Sequence, residues 1–141
     1  MIELILPMFV LVILTVIIGV SLAVAGFSNV SRKKIRPSYF RIMQGDTPPE
    51  SMVRLSRNFS NLFEVPVFFY VVCTLALALN IQSQSFLFLA WAFVILRIFH
   101  SLIHVTYNHP LHRGLVFLIS LAVVVAMWVT VLLVVADRVN V

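Results

Sequence analysis

Two stretches of the chain, Leu4 to Phe27 and Gly114 to Ala136, run without a single charged side chain. Each is long enough to cross a hydrocarbon core, which takes about 20 apolar residues. Between them lie two less pure apolar segments, roughly 57–79 and 86–107. Transmembrane strands would show about 10 residues of strict alternation, whereas these runs are long and solidly apolar. The pattern predicts an all-α integral membrane protein, a single domain over 1–141 built as a four-transmembrane-helix up-down bundle, with spans at about 4–27, 57–79, 86–107 and 114–136. The first run is too long for a cleavable signal and lacks a basic leader before it, so it is expected to remain as a span.

The segments between the spans set the topology. Asn80 to Ser85 and His109 to Arg113 are short and predict tight helical hairpins. The stretch 28–56 is the one long loop. It carries Arg32, Lys33, Lys34, Arg36, Arg41 and Arg54, and Pro37, Gly45, Pro48 and Pro49 interrupt any continuous helix. Lys and Arg beside span ends mark the cytoplasmic side. The long basic loop is therefore expected in the cytoplasm and both termini on the non-cytoplasmic side.

Composition agrees and adds one point. Of the residues, 62% are hydrophobic and 11% charged, against about a quarter charged in a soluble domain. A fold of this size cannot hide so much apolar surface from water, so lipid is part of its solvent. The net charge of +5 points to anionic partners, and the bland reading of the basic run is a topology determinant lying on anionic lipid. Cys73 is the single cysteine and leaves no intrachain disulfide. Nothing in the pattern suggests a nucleic-acid partner.

Polar residues concentrate on the second and third spans. In the second, Arg54, Arg57, Asn61 and Glu64 fall on one helical face at about 100° per residue. Glu64 lies about 10 Å along the axis from Arg57, inside the apolar slab, where an ionisable group needs a partner and marks a functional site by default. Its alternative is a structural ion pair between spans. Pro66 removes a backbone donor, frees the carbonyl near Leu62 and should bend the helix beside this cluster.

The third span carries a matching stripe of Arg97, His100, His104 and Tyr107, each one turn from the next. Antiparallel neighbours with complementary faces should put them together, with Glu64 and Arg97 as the expected buried pair. Two ligands compete for the cluster. His100 and His104 at i, i+4 with Glu64 have the residue types of a metal site. The surplus of positive charge from Arg97, Arg57 and Arg113 opposes a cation, so no metal is expected, and favours an anion carrying several carboxylates, which guanidinium forks pair bidentately. Arg113, at the start of the fourth span, is either a topology anchor or part of the site.

The segment from Arg57 through Asn58, Asn61, Glu64 and Pro66 to Tyr70 resembles the helix-two signature of the MAPEG family, the membrane-associated proteins in eicosanoid and glutathione metabolism. Arg97-x-x-His100-Ser-x-x-His104-x-x-Tyr107-Asn108, followed by Arg113, resembles the helix-three signature. The similarity covers essentially the whole chain and is nearest a bacterial branch, which implies a bacterial inner membrane. It implies a homotrimer surrounded by lipid, with glutathione as co-substrate between protomers and a small lipophilic electrophile arriving from the bilayer. Carried over residue by residue, it assigns glutathione binding to Arg32, Arg57, Asn58 or Asn61, Glu64, Arg97 and His100, with His104 and Tyr107 on the same face. It assigns stabilisation of the thiolate, the catalytic role, to Arg113.

The chain departs from the family pattern in three places. Pro66 follows Glu64 by two residues rather than the three seen in many members. His104 stands where synthases often have a tyrosine, and Gly114 follows Arg113 where one synthase has a serine. Two functions follow: a glutathione-dependent membrane transferase or peroxidase, or a non-catalytic lipid-binding or scaffold protein of the same fold. They divide on whether a cation reaches the sulfur.

Overall fold

The computed structural model of the chain describes residues 2–81 and 83–139. Six helices follow in order: α1 (Ile2–Ser31), α2 (Tyr39–Ile42), α3 (Glu50–Asn61), α4 (Val65–Ala78), α5 (Gln84–Val105) and α6 (Pro110–Val139). With α3 and α4 counted together as one interrupted span, four helices among the described residues are long and apolar enough to cross a membrane. The all-helical four-span bundle is thus the architecture, and no strand occurs among the described residues.

The helices outrun the apolar stretches. Once started in lipid, a helix continues into water as long as its backbone donors stay paired. α3 begins at Glu50, seven residues before the apolar part, and Glu50 holds Arg54 one turn on as an i, i+4 ion pair. The long connection is correspondingly shorter than the basic sequence suggests. It is closed by Arg36, whose N–H donates to Asp46 Oδ2 at 2.7 Å and whose guanidinium meets Asp46 Oδ1 at 3.1 Å. Those contacts hold the Asp46 carboxyl below its ordinary range, the Arg36 backbone N–H first and its guanidinium second. Gly45 beside it takes φ +98°, a conformation that side chains strain to adopt. Tyr39 of α2 packs with Ile35, Met52 and Leu22 under this strap. The hairpin between α4 and α5 contains Gln82, which lies outside the described residues.

The core is one seam. Leu11 and Ile18 from α1, Phe69, Val72 and Ala76 from α4, Phe86, Ala90 and Phe93 from α5, and Val124 and Met127 from α6 are buried against one another. α5 is the central helix and packs on α1, α3 and α6. α1 and α3 approach closely: a Cβ added to Gly19 would sit 2.9 Å from the Phe59 ring, the small-residue contact by which membrane helices pack. The outward faces of α1 and α6, with Phe9, Val16, Phe27, Leu118 and Leu132 exposed, are apolar surface of the kind lipid covers.

Candidate functional site

The site begins with the interruption of the second span. Pro66 cannot donate to the carbonyl one turn back, and the helix stops at Asn61. Residues 62–64 form a tighter turn, with Phe63 N–H on Ser60 O at 2.9 Å. Glu64 at φ −93°, ψ −93° then starts α4. The bend expected beside the polar cluster is therefore a break, and it turns Glu64 outward, exposed, at the point where α3 ends.

A cavity of about 400 Å³ lies at this break, lined by Arg57, Asn61 and Glu64 from the second span and by His100, His104 and Arg113 from α5 and α6. Six residues singled out from sequence thus meet in one place. Ser56, Ser60, Gly114 and Phe117 complete the wall. The serines escaped notice because exposed serine near a helix end is common and carries no spacing signal. Phe117 was hidden in a clean apolar run.

Two arginines are treated differently here. Arg113, half-buried, donates from Nη1 to Asn108 Oδ1 at 2.9 Å and lies 3.4 Å from His104 Nε2 through the same nitrogen. Arg97 is fully buried and sits between the Phe93 and Phe117 rings, 5.3 and 5.2 Å from their centroids. Aromatic faces attract a guanidinium, and among the described residues none of its nitrogens has a hydrogen-bond partner. The buried Glu64–Arg97 pair expected from the two stripes does not form: no ion pair joins them among the described residues. The physical reason is the break, which leaves Glu64 exposed while α5 turns Arg97 into its aromatic slot.

Four further residues lie outside this cavity. Asn58 is fully buried against α5, where its Oδ1 accepts from Ser101 Oγ at 3.1 Å. That bond ties α3 to α5, and Asn61 is the asparagine that reaches the cavity. Tyr107 is exposed, with its hydroxyl 3.1 Å from His112 Nδ1. Arg32 is exposed just past the end of α1. Arg97 is the fourth, behind Phe117.

A second cavity, about 630 Å³ and largely apolar, opens between α1, α2 and α3, with Leu22, Gly26, Phe40 and Met52 in its wall. Ser56 and Arg57 line both cavities. A polar cavity rich in guanidinium and imidazole, with one carboxylate, thus shares a wall with an apolar one. Such a pair suits a charged ligand with several carboxylates and an amine beside a greasy one.

Comparison with curated proteins and with solved structures gave no match. The MAPEG family model matches residues 4–133, which reaches from the first span into the fourth and includes every residue of the polar cavity, and the chain belongs to the MAPEG family.

Proposed function

We propose that the protein is a glutathione-dependent membrane transferase or peroxidase that joins or reduces a lipophilic electrophile by thiolate attack. The observation that carries this reading is the gathering of Arg57, Glu64, His100, His104 and Arg113 around one cavity. Glutathione offers two carboxylates and an ammonium. Guanidinium forks suit the carboxylates, and Glu64 suits the ammonium. Arg113 lowers the thiol pKa by favouring its charged form. The sulfur then attacks an electrophilic carbon, forming S–C as the C–O or C–halide bond breaks, or attacks a peroxide oxygen, forming S–O as O–O breaks and the alkoxide takes a proton. In the peroxide case a second glutathione then converts the sulfenic acid to the disulfide and water. The apolar cavity beyond Arg57 gives the electrophile a place beside the polar one.

The same reading takes the protein as a homotrimer of a bacterial inner membrane, with the polar cavity toward the cytoplasm. Arg32, Arg97 and Tyr107, outside the cavity within one protomer, would act only through a neighbouring copy or indirectly. The second reading is a non-catalytic lipid-binding protein, which the size of the apolar cavity favours.

Thermal-stability titration of the detergent-purified protein with glutathione tests the proposal, followed by turnover of an aryl halide. Saturation at a hundred times the dissociation constant should add about 2.7 kcal/mol of apparent stability, and Arg57→Ala should abolish the shift. Arg113→Ala should keep the shift and lose about 10²–10³ in kcat, the usual effect of removing one donor to a developing or held anion. No shift at millimolar glutathione, or full conjugation by Arg113→Ala, would move the assignment to lipid binding.

A further inference from the structure

The turn between α5 and α6 does more than reverse the chain. After Thr106, Asn108 takes φ +49°, a left-handed conformation that side chains seldom accept and asparagine accepts more readily than most. Its N–H returns to the Ile103 carbonyl at 2.8 Å, and Arg113 N–H reaches His109 O at 3.1 Å as α6 begins. Glycine would satisfy that backbone equally well. What asparagine adds is Oδ1, which accepts from Arg113 Nη1 at 2.9 Å.

The same Nη1 lies 3.4 Å from His104 Nε2. A guanidinium only donates, so Nε2 must accept and the imidazole proton sits on Nδ1. That Nδ1 is buried and has no hydrogen-bond partner among the described residues, so the contact with Arg113 is what selects this tautomer. Both N–H bonds of Nη1 are then committed, one to each acceptor. Among the described residues Nε and Nη2 have no hydrogen bond, and the residue lines the polar cavity. We infer that Asn108 is a positioning residue for Arg113: its Oδ1 holds the guanidinium against His104 so that Nε and Nη2 face an anionic ligand. The thiolate part of this inference rests on the function proposed above.

Residue choice at position 108 follows from the two demands together. Glycine meets the left-handed backbone but leaves Arg113 one acceptor short. Aspartate offers the acceptor but brings a negative charge beside the guanidinium, which weakens its pull on a sulfur anion. Asparagine is the neutral acceptor that tolerates this backbone.

Asn108→Gly separates the demands, since it keeps the turn and deletes the acceptor. The first readout needs no glutathione: the ¹⁵N imidazole spectrum of the detergent-solubilised protein, with His104 assigned by a His104→Gln control. In the parent protein His104 should show Nδ1–H and an accepting Nε2. Asn108→Gly should mix in the Nε2–H tautomer, and Asn108→Asp should not. The second readout is conjugation against pH. Asn108→Gly should move the rising limb of kcat/KM about one pH unit upward, a tenfold loss of thiolate at a given pH, while KM for glutathione changes less than threefold.

An unchanged His104 spectrum in Asn108→Gly overturns the positioning role whatever glutathione does. A changed spectrum with an unmoved pH limb overturns the thiolate part. A changed spectrum in a protein that binds no glutathione upholds the positioning of Arg113, and the failure then belongs to the glutathione reading.

Discussion

Phe69 and Phe93 stack at 4.6 Å and 11° between planes, with Val72, Cys73, Ala76 and Ala90 fully buried around them. Farther along α5, toward the long loop, the same helix buries Arg97, His100, Ser101 and His104 instead. One half of the bundle is filled with hydrocarbon. The other buries guanidinium, imidazole and amide as completely, and its second span is broken at 62–64.

The difference follows from the solvent. Helices already in lipid gain little by hiding apolar surface from it, so the half with the aromatic stack is held by fit alone. Polar groups in the same slab are costly to bury, and they sit against a hydrogen-bond partner, an aromatic face or a cavity. The half with the aromatic stack fixes the helices, and the half beside the loop can then keep an open polar cavity without losing the fold.

The comparison breaks if the aromatic half is dispensable. Phe69→Ala should cost about 2–3 kcal/mol in detergent unfolding. That is less than the roughly 3–5 kcal/mol of a soluble core, because only the cavity part applies when the detached helices remain in hydrocarbon. Glutathione affinity of the folded fraction should not change. A loss of affinity before any loss of stability would mean that the two halves are coupled, contrary to the division drawn here.

A smaller effect sharpens the polar side. Ser101→Ala removes the donor to Asn58 Oδ1 and should cost about 1 kcal/mol, the usual scale for an interhelical hydrogen bond in lipid. Adding Asn58→Leu should recover part of it, since an unsatisfied buried amide is worse than none. No cost for Ser101→Ala would show that the bond does not tie α3 to α5.

The smallest expected effect lies on the loop. Asp46 has its carboxyl lowered by Arg36, so the strap is favoured above the ordinary carboxylate pKa and released as pH falls through the lowered one. Hydrogen exchange over 36–46 should therefore rise in acid relative to the rest of the chain, after correction for the intrinsic rate. Asp46→Asn should show that opening already at neutral pH, with the four spans unaltered.

Much of this was legible in the residues. Long uncharged runs could be nothing but spans, and the stripe Arg57, Asn61, Glu64 read at helical period did come to face His100, His104 and Arg113. The Glu64–Arg97 pair was misread because periodicity assumes an unbroken helix. Pro66 announced a bend, but not that Glu64 would swing outward or that Phe117 would supply a face for Arg97. Asn108 was visible only as part of a motif, since nothing in a turn sequence says where an asparagine oxygen will point.

The sequence by itself determined the spans, a bend in the second helix, the basic loop and the polar stripes on the second and third spans, because in lipid a backbone has few ways to satisfy its own polar groups. The tertiary structure alone decided which polar groups meet. Arg113 is held by Asn108 and His104, Arg97 lies between two rings, and Asn58 faces inward while Asn61 reaches the cavity. Such pairings depend on the rotation and depth of one helix against another, and these are set by side-chain fit along the whole seam rather than by any local pattern.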